Sequence, residues 1–314
     1  MRLMSRASYI ELSESGELAR RVERARELLS PCTVCPRQCA VDRPAGELGD
    51  CRTGPEAMIS SVGPHFGEEE PLVGRSGSGT VFFSGCNLNC DFCQNWEISQ
   101  GGEGRPVDTA SLARAFLHVM ELGCHNLNLV TPTHVVPQIL EALVPAAAAG
   151  LDLPIVYNCG RYESTETLEL LDGVVDIYMP DLKFTDPSPA TRFCQAADYP
   201  EVVMRAIAEM HRQVGDLQLD AEGIATRGLL VRHLVMPEGL SGSRKAAEFL
   251  AGLSENTFVN VMAQYRPCHN ADRHPELTRG ILAEEHQAAV DAMLRAGLTR
   301  LDGIRPRAYR LRLW

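Results

Sequence analysis

Positive charge is in short supply. The 314 residues carry 30 lysines and arginines against 41 aspartates and glutamates, a formal net charge of -11. A phosphate-backbone partner requires a basic surface, so nucleic acid is excluded as a partner class. Long apolar runs are missing too: nothing approaches the roughly 20 residues that span a bilayer. The N-terminal stretch mixes Glu11, Glu14, Glu17, Glu23 and Glu27 with arginines, where a secretory leader would carry an apolar core. These absences lead to the expectation of a cytoplasmic protein with no membrane partner. With 45% hydrophobic and 23% charged residues, the composition is that of an ordinary globular chain, long enough for one large domain plus an appendage.

Cysteine is plentiful by contrast. There are 11, an odd number, and seven fall in two compact groups, while Cys124, Cys159, Cys194 and Cys268 are scattered. In a chain without an export signal this pattern indicates reduced thiols holding metal rather than a disulfide framework. The first group is Cys32, Cys35, Cys39 and Cys51, in a segment too poor in apolar residues to fold by burial alone. It reads as a metal-stapled knuckle, with zinc and a second iron-sulfur cluster equally compatible with the spacing, and four unliganded structural thiols as the third reading.

The second group, Cys86, Cys90 and Cys93, lies in Thr80 to Trp96, the stretch around which the chain is organised. Val81 to Phe83 are β-branched and aromatic, as a buried strand requires, and Ser84-Gly85 then opens a loop. A CxxxCxxC loop can wrap three sulfurs around one corner of an iron-sulfur cubane, whereas tetrahedral zinc sites are built from CxxC pairs. Three protein ligands for a four-iron cluster leave one iron open.

The remainder alternates. After an amphipathic helix from about Glu17 to Leu29 and the knuckle, the Gly-, Pro- and Glu-rich stretch from Ile59 to Gly79 reads as an irregular connection, with Glu68, Glu69 and Glu70 expected as a solvated acidic turn rather than cavity lining. Strands are then expected over His125 to Val130, Leu153 to Cys159, Val174 to Leu182, Gly228 to Met236 and Phe258 to Ala263. Helices fall from Asp108 or Thr109 to Leu122, Val136 to Ala148, Ser164 to Leu171, Tyr199 to Val214, Ser243 to Leu253 and Glu284 to Ala296. Six such units imply a parallel sheet with right-handed crossovers, whose C-terminal strand ends share one rim where ligands bind.

The cysteine loop sits at that end of the first strand, so polar residues at the other strand ends are the candidate contacts. They are Thr131, Thr133 and His134 after the second strand, with Thr133 equally placed to cap the next helix. Asn158 with Gly160 follows the third, Asp181 with Lys183 the fourth, and Arg232 lies on the fifth. Asn126 and Asn128 share one strand face and can point into a barrel. His233 alternates with Arg232 and reads as a satisfied core histidine. Gln264, Tyr265 and Arg266 either close over the substrate or, for Tyr265, find a backbone partner.

The stretch Phe-Phe-Ser-Gly-Cys-Asn-Leu-Asn-Cys-Asp-Phe-Cys-Gln-Asn, with Phe92 just before the third cysteine, resembles the radical S-adenosylmethionine (SAM) superfamily, and more narrowly its branch related to pyruvate formate-lyase activating enzymes. Cys-x-x-Cys-Pro-Arg-x-Cys followed by Gly-x-Cys is similar to the N-terminal segment of the same branch. The resemblance implies a partial (β/α)6-type parallel barrel, α/β in class, with a [4Fe-4S] cluster on Cys86, Cys90 and Cys93 and SAM at its open iron. It implies that Asp181 and Lys183, which match the branch's Asp-x-Lys, contact SAM, with Arg232 at a position used near it. The Gly-Gly-Glu that usually holds the amino group of SAM is missing after the second strand, where Thr131, Thr133 and His134 are the polar substitutes.

The expected divisions are 1–58, an N-terminal helix and Cys-rich metal-binding segment; 59–300, the barrel; and 301–314, a basic tail packed on it. The implied chemistry is reductive cleavage of SAM to a 5′-deoxyadenosyl radical for hydrogen abstraction, with a low-potential donor such as flavodoxin or ferredoxin. Activation of a glycyl radical enzyme is the leading use, and modification of a small molecule or peptide the alternative. An iron-sulfur electron-transfer protein and a zinc-stapled module are the competing classes. No single residue is assigned as a catalytic acid or base.

Overall fold

Side chains on a strand alternate between two faces, so each strand of a curved parallel sheet feeds two separate cores. The computed structural model describes residues 6–160 and 162–302. Ten strands form one sheet: β1 (Ala57–His65), β2 (Ser78–Phe83), β3 (Arg105–Val107), β4 (Leu127–Val130), β5 (Ile155–Cys159), β6 (Ile177–Leu182), β7 (Gln218–Leu219), β8 (Ala225–Leu234), β9 (Phe258–Met262) and β10 (Leu301–Asp302). Their order is β10-β9-β8-β6-β5-β4-β2-β1-β3, with β7 paired to β8. From β2 to β10 the path is parallel, and β1, β3 and β7 are antiparallel additions.

The helices are α1 (Tyr9–Glu14), α2 (Glu17–Glu27), α3 (Glu70–Val73), α4 (Trp96–Ser99), α5 (Thr109–Glu121), α6 (Val136–Ala148), α7 (Thr165–Leu170), α8 (Pro187–Cys194), α9 (Tyr199–Val214), α10 (Ser243–Leu253) and α11 (Ala283–Arg295). Local chemistry starts two of the crossovers. Asp108 accepts from Ser111 N at 2.7 Å to cap α5, and Ser164 accepts from Thr167 N at 3.2 Å to cap α7.

The two faces can be followed residue by residue. Val81, Phe83, Leu127, Leu129, Ile155, Tyr157, Tyr178, Leu229, Val231, Val259 and Val261 point outward into the large core shared with the helices. Val156, Ile177, Met179 and Leu230 point inward and form a second, smaller core around Leu72 of α3. The sheet is therefore a partial barrel, and α3 plugs it.

Two corrections follow. Ile59 to Gly79 is not an irregular connection: β1 pairs with β2 from Ile59 against Phe83 to His65 against Ser78. Its Ser-Ser-Val-Gly-Pro composition hides the strand because β1 is flanked by the short β3, not by another central strand, and is largely exposed. Nor are Glu68 and Glu69 a solvated turn, for the segment that carries them enters the barrel with Leu72. Only Glu70 is exposed. A seventh parallel strand, β10, joins the expected six. The division at residue 58 falls inside β1, and of the expected tail, 303–314 lie outside the described residues.

Candidate functional site: the cysteine loop and the charged row inside the barrel

The loop after β2 is held from three sides. Gly85 has φ +85°, and a Cβ there would stand 2.6 Å from Cys51 O and 2.8 Å from Thr53 Oγ1, so only glycine lets the N-terminal segment close on the loop. Arg37 of that segment donates through Nε to Asn87 O at 2.9 Å and through Nη1 to Gln195 O at 2.6 Å. Arg43, almost fully buried, donates to Gly54 O and to His134 O at 2.7 Å. On the second side, the end of α8 meets the loop where Asp91 N donates to Phe193 O at 2.9 Å. On the third, the segment after β9 wraps it: Asn270 N donates to Asp91 O, His274 pairs with Asp91 at 2.6 Å, and Gln94 donates to Gln264 O. Phe92 is buried beneath, edge-on to Phe184 and Tyr265. Tyr265 itself donates to Leu277 O at 2.8 Å and builds the wrap. Of its neighbours, Arg266 is exposed.

The three thiols fit an iron-sulfur cluster. Cys90 is buried and Cys86 and Cys93 partly so. Burial pushes the Cys86 thiol up to about 12, and the contact with Cys194 followed by burial holds Cys90 well above its ordinary value. Thiols so disfavoured as free thiolates gain most from a metal that accepts their charge. Among the described residues no three histidine, cysteine or acidic side chains converge on a point suited to one metal ion. A cubane does not ask its thiols to share one centre, since each cysteine takes a different iron.

Inside the rim a row of polar side chains crosses three neighbouring strands. Asp181, Arg232 and Asn260 are in register on β6, β8 and β9. Arg232 donates to Asp181 Oδ1 at 2.8 Å and to Asn158 Oδ1 at 2.6 Å, and Lys183 donates to Asp181 Oδ2 at 2.6 Å. Burial pulls the Lys183 ammonium down, but the adjacent Asp181 carboxylate together with Tyr199 and Cys90 holds the group above its ordinary value. The Lys183 charge in turn favours the thiolates of Cys86, Cys90 and Cys93, which places it toward the cysteine loop. Gly160 lies alongside: a Cβ there would make ordinary van der Waals contact with Leu88 at 3.4 Å and with Lys183 Nζ at 3.8 Å.

Two carboxylates that sequence reasoning set aside complete the row. Glu68 lies 3.5 Å from Arg232, and Glu69 accepts from Asn260 at 2.8 Å. Burial and the neighbouring Glu69 push Glu68 upward against the pull of Arg232. Glu69 Oε2 and Asn128 Oδ1 are buried acceptors with no hydrogen-bond partner among the described residues. Three acidic groups and two basic ones thus meet in a low-dielectric interior, where a cationic ligand would favour the ionised form of Glu68. No local motif marks Glu68 and Glu69; the one available signal is their closeness to Leu72 and Val73, the apolar pair between Gly67 and Gly79.

The residues after β4 divide. Thr131 has φ +59°, an unusual conformation for a β-branched residue, and is partly exposed at the rim. Thr133 and His134 turn away from the row. Thr133 donates to Glu163, and the His134 ring bonds Ser84 O at 2.9 Å. Both are buried, and α6 begins after Val135, so Thr133 is not its cap. Glu163 also accepts from Tyr157 at 3.0 Å, and burial raises it to about 7. His233, as its alternation with Arg232 implied, bonds Leu182 O and Ser243. Asn126 and Asn128 are buried together with Ser78.

The N-terminal cysteines do not gather at one point. Cys39 interacts with Cys32, while Cys35 lies near Cys51 and Asn87. The cause is packing: Cys39 Sγ sits against Gly49, 2.3 Å from where a Cβ would be, whereas Cys35 faces the loop that follows Cys86. Neither a zinc site nor a second cluster gains support from this arrangement.

Fold and site together define a parallel α/β barrel that carries a three-thiol loop at the C-terminal rim of its strands. The family model for the Radical SAM superfamily matches residues 80–216. The chain is also 32% identical over 292 residues to an uncharacterized protein of Methanocaldococcus jannaschii, covering 90% of this chain and 80% of that one. It belongs to the radical SAM superfamily, in one family with that archaeal protein. Among solved structures, a domain of pyruvate-formate lyase-activating enzyme from Bacteroides vulgatus aligns at 15% identity and TM-score 0.35, over 62% of this chain and 91% of that one. A radical SAM methyltransferase from Sphaerobacter thermophilus aligns at 15% identity and TM-score 0.48, over 71% and 65%. Membership makes the protein an enzyme of radical SAM chemistry and implies a [4Fe-4S] cluster and SAM. Among the described residues no helix is long and apolar enough to cross a membrane.

Proposed function

We propose that this enzyme abstracts a hydrogen atom from a partner protein, as a glycyl-radical activase does, with Cys86, Cys90 and Cys93 holding the cluster. When bound, that cluster supplies the electron that splits SAM into methionine and a 5′-deoxyadenosyl radical. The protein's own part is positional. Asp181 and Lys183 present a carboxylate and an ammonium beside the thiol loop, Arg232 fixes Asp181 in place, and Asn158 fixes Arg232. Glu68 and Glu69 supply the carboxyl groups that the missing Gly-Gly-Glu would bring, and a cationic group of SAM beside Glu68 would favour its ionised form.

Leu72 and α3 fill the lower barrel, so substrate approaches from the rim, the side open to an extended loop of another chain. The electron donor is of the flavodoxin or ferredoxin class.

Anaerobically reconstituted and dithionite-reduced enzyme is expected to release 5′-deoxyadenosine from SAM, and Cys90→Ala is expected to release none. A deuterated glycine in the partner is expected to deliver its label to 5′-deoxyadenosine and leave a persistent protein radical. Label arriving instead from a small molecule would transfer the activity to the second use of the same chemistry.

A further inference from the structure

Each of the three loop sulfurs has a neighbouring donor group. Leu88 N lies 3.4 Å from Cys86 Sγ, the Cys194 thiol 3.2 Å from Cys90 Sγ, and the Ser99 hydroxyl 3.2 Å from Cys93 Sγ. Neither Cys194 nor Ser99 belongs to a ligand motif. Cys194 is fully buried at the end of α8, and Ser99, buried at the end of α4, follows Cys93 by six residues. The fold holds both in place: Arg37 bonds the Cys194 carbonyl, and Ser99 N bonds Asn95 O at 2.9 Å.

We infer that Cys194 and Ser99 are positioning residues that hydrogen-bond the cluster's cysteine sulfurs and set its reduction potential. The inference rests on the cluster assignment in the proposed function. Once iron is bound, Cys90 and Cys93 carry no proton, so the direction of both bonds is settled: the Cys194 S–H and the Ser99 O–H donate. Reduction adds negative charge that spreads onto the sulfurs, and a donor stabilises the more negative state more strongly. Hydrogen bonds to the sulfurs therefore raise the potential and make the electron easier to load.

The test is an anaerobic redox titration of the reconstituted enzyme, followed by the electron paramagnetic resonance signal of the reduced cluster. In Cys194→Ala and Ser99→Ala the ratio of reduced to oxidised cluster at a fixed solution potential is expected to fall about tenfold, which for one electron is about 59 mV. Cys194→Ser and Ser99→Thr, which keep a donor, are expected to stay near wild type. Wild-type midpoints in both alanine variants, or an equal shift in Cys194→Ser and Cys194→Ala, would overturn the inference. Should Cys194→Ala fail to fold, the Ser99 pair decides by the same criterion. If wild-type enzyme assembles its cluster and cleaves SAM while the alanine variants keep its potential, only this inference fails. If wild-type enzyme holds no iron on the trio, the proposed function fails and the donor shell falls with it.

Discussion

Asp181 is the residue on which the interior charge balance turns, because it faces both Lys183 and Arg232. Replacing it with alanine leaves two largely buried cations with less compensation, and an unfolding free energy lower by about 3–5 kcal/mol is expected, measurable by urea denaturation of the cluster-free chain. An unchanged midpoint would mean that solvent already screens the pair. Glu163 gives a pH dependence of definite sign. Its folded value is raised to about 7 from 4.5 by burial, so the folded state binds more protons than the unfolded one between those values. Stability is then greatest below about 4.5 and declines as pH rises through about 7, by up to about 3 kcal/mol. Glu163→Gln is expected to flatten this part of the Tm-against-pH curve, and an identical curve would locate the titration elsewhere. The loop thiols predict a second dependence. Iron uptake requires their deprotonation, and Cys86 is pushed up to about 12, so reconstitution is expected to quicken markedly between roughly pH 7 and 9, as followed by visible absorbance.

Among the elements, α3 and the loop after β2 bear the most consequence. Leu72 is fully buried in the inner core, and Leu72→Ala is expected to cost about 2–5 kcal/mol. Because α3 also carries in Glu68 and Glu69, SAM affinity, read by anaerobic equilibrium dialysis, is expected to fall in parallel. A loss of stability with unaltered affinity would separate plug from site. Gly85→Ala forces a Cβ into Cys51 O at positive φ, so the knuckle must retreat from the loop. Its iron content after reconstitution is expected to drop severalfold while far-UV circular dichroism stays the same. The elements of the crossovers were legible because α5, α6, α9, α10 and α11 carry apolar residues at the helical period and their strands are predominantly apolar. β1 and α8 were not. The first is exposed along much of its length, and the second begins Pro-Ser-Pro, a composition that reads as a turn although Pro187 simply occupies the first helical turn.

At the scale of the whole molecule, the protein is a curved sheet with an outer core against helices, an inner core around a plug, and an N-terminal segment clasped behind the cysteine loop. By itself the sequence determined the alternating α/β order, the rim on which ligands gather, the three-thiol loop and the row members Asp181, Lys183, Asn158 and Arg232, since each is written in local spacing or in strand alternation. Tertiary structure alone decided that Glu68 and Glu69 enter the barrel, that Thr133 and His134 bond Glu163 and Ser84, that Cys39 interacts with Cys32 and Cys35 with Cys51, and that Cys194 meets a loop sulfur. Contacts such as Glu68 with Arg232 or Cys90 with Cys194 join residues more than a hundred positions apart. Nothing in a local pattern encodes them, because they exist only once the plug and the crossovers have closed the sheet.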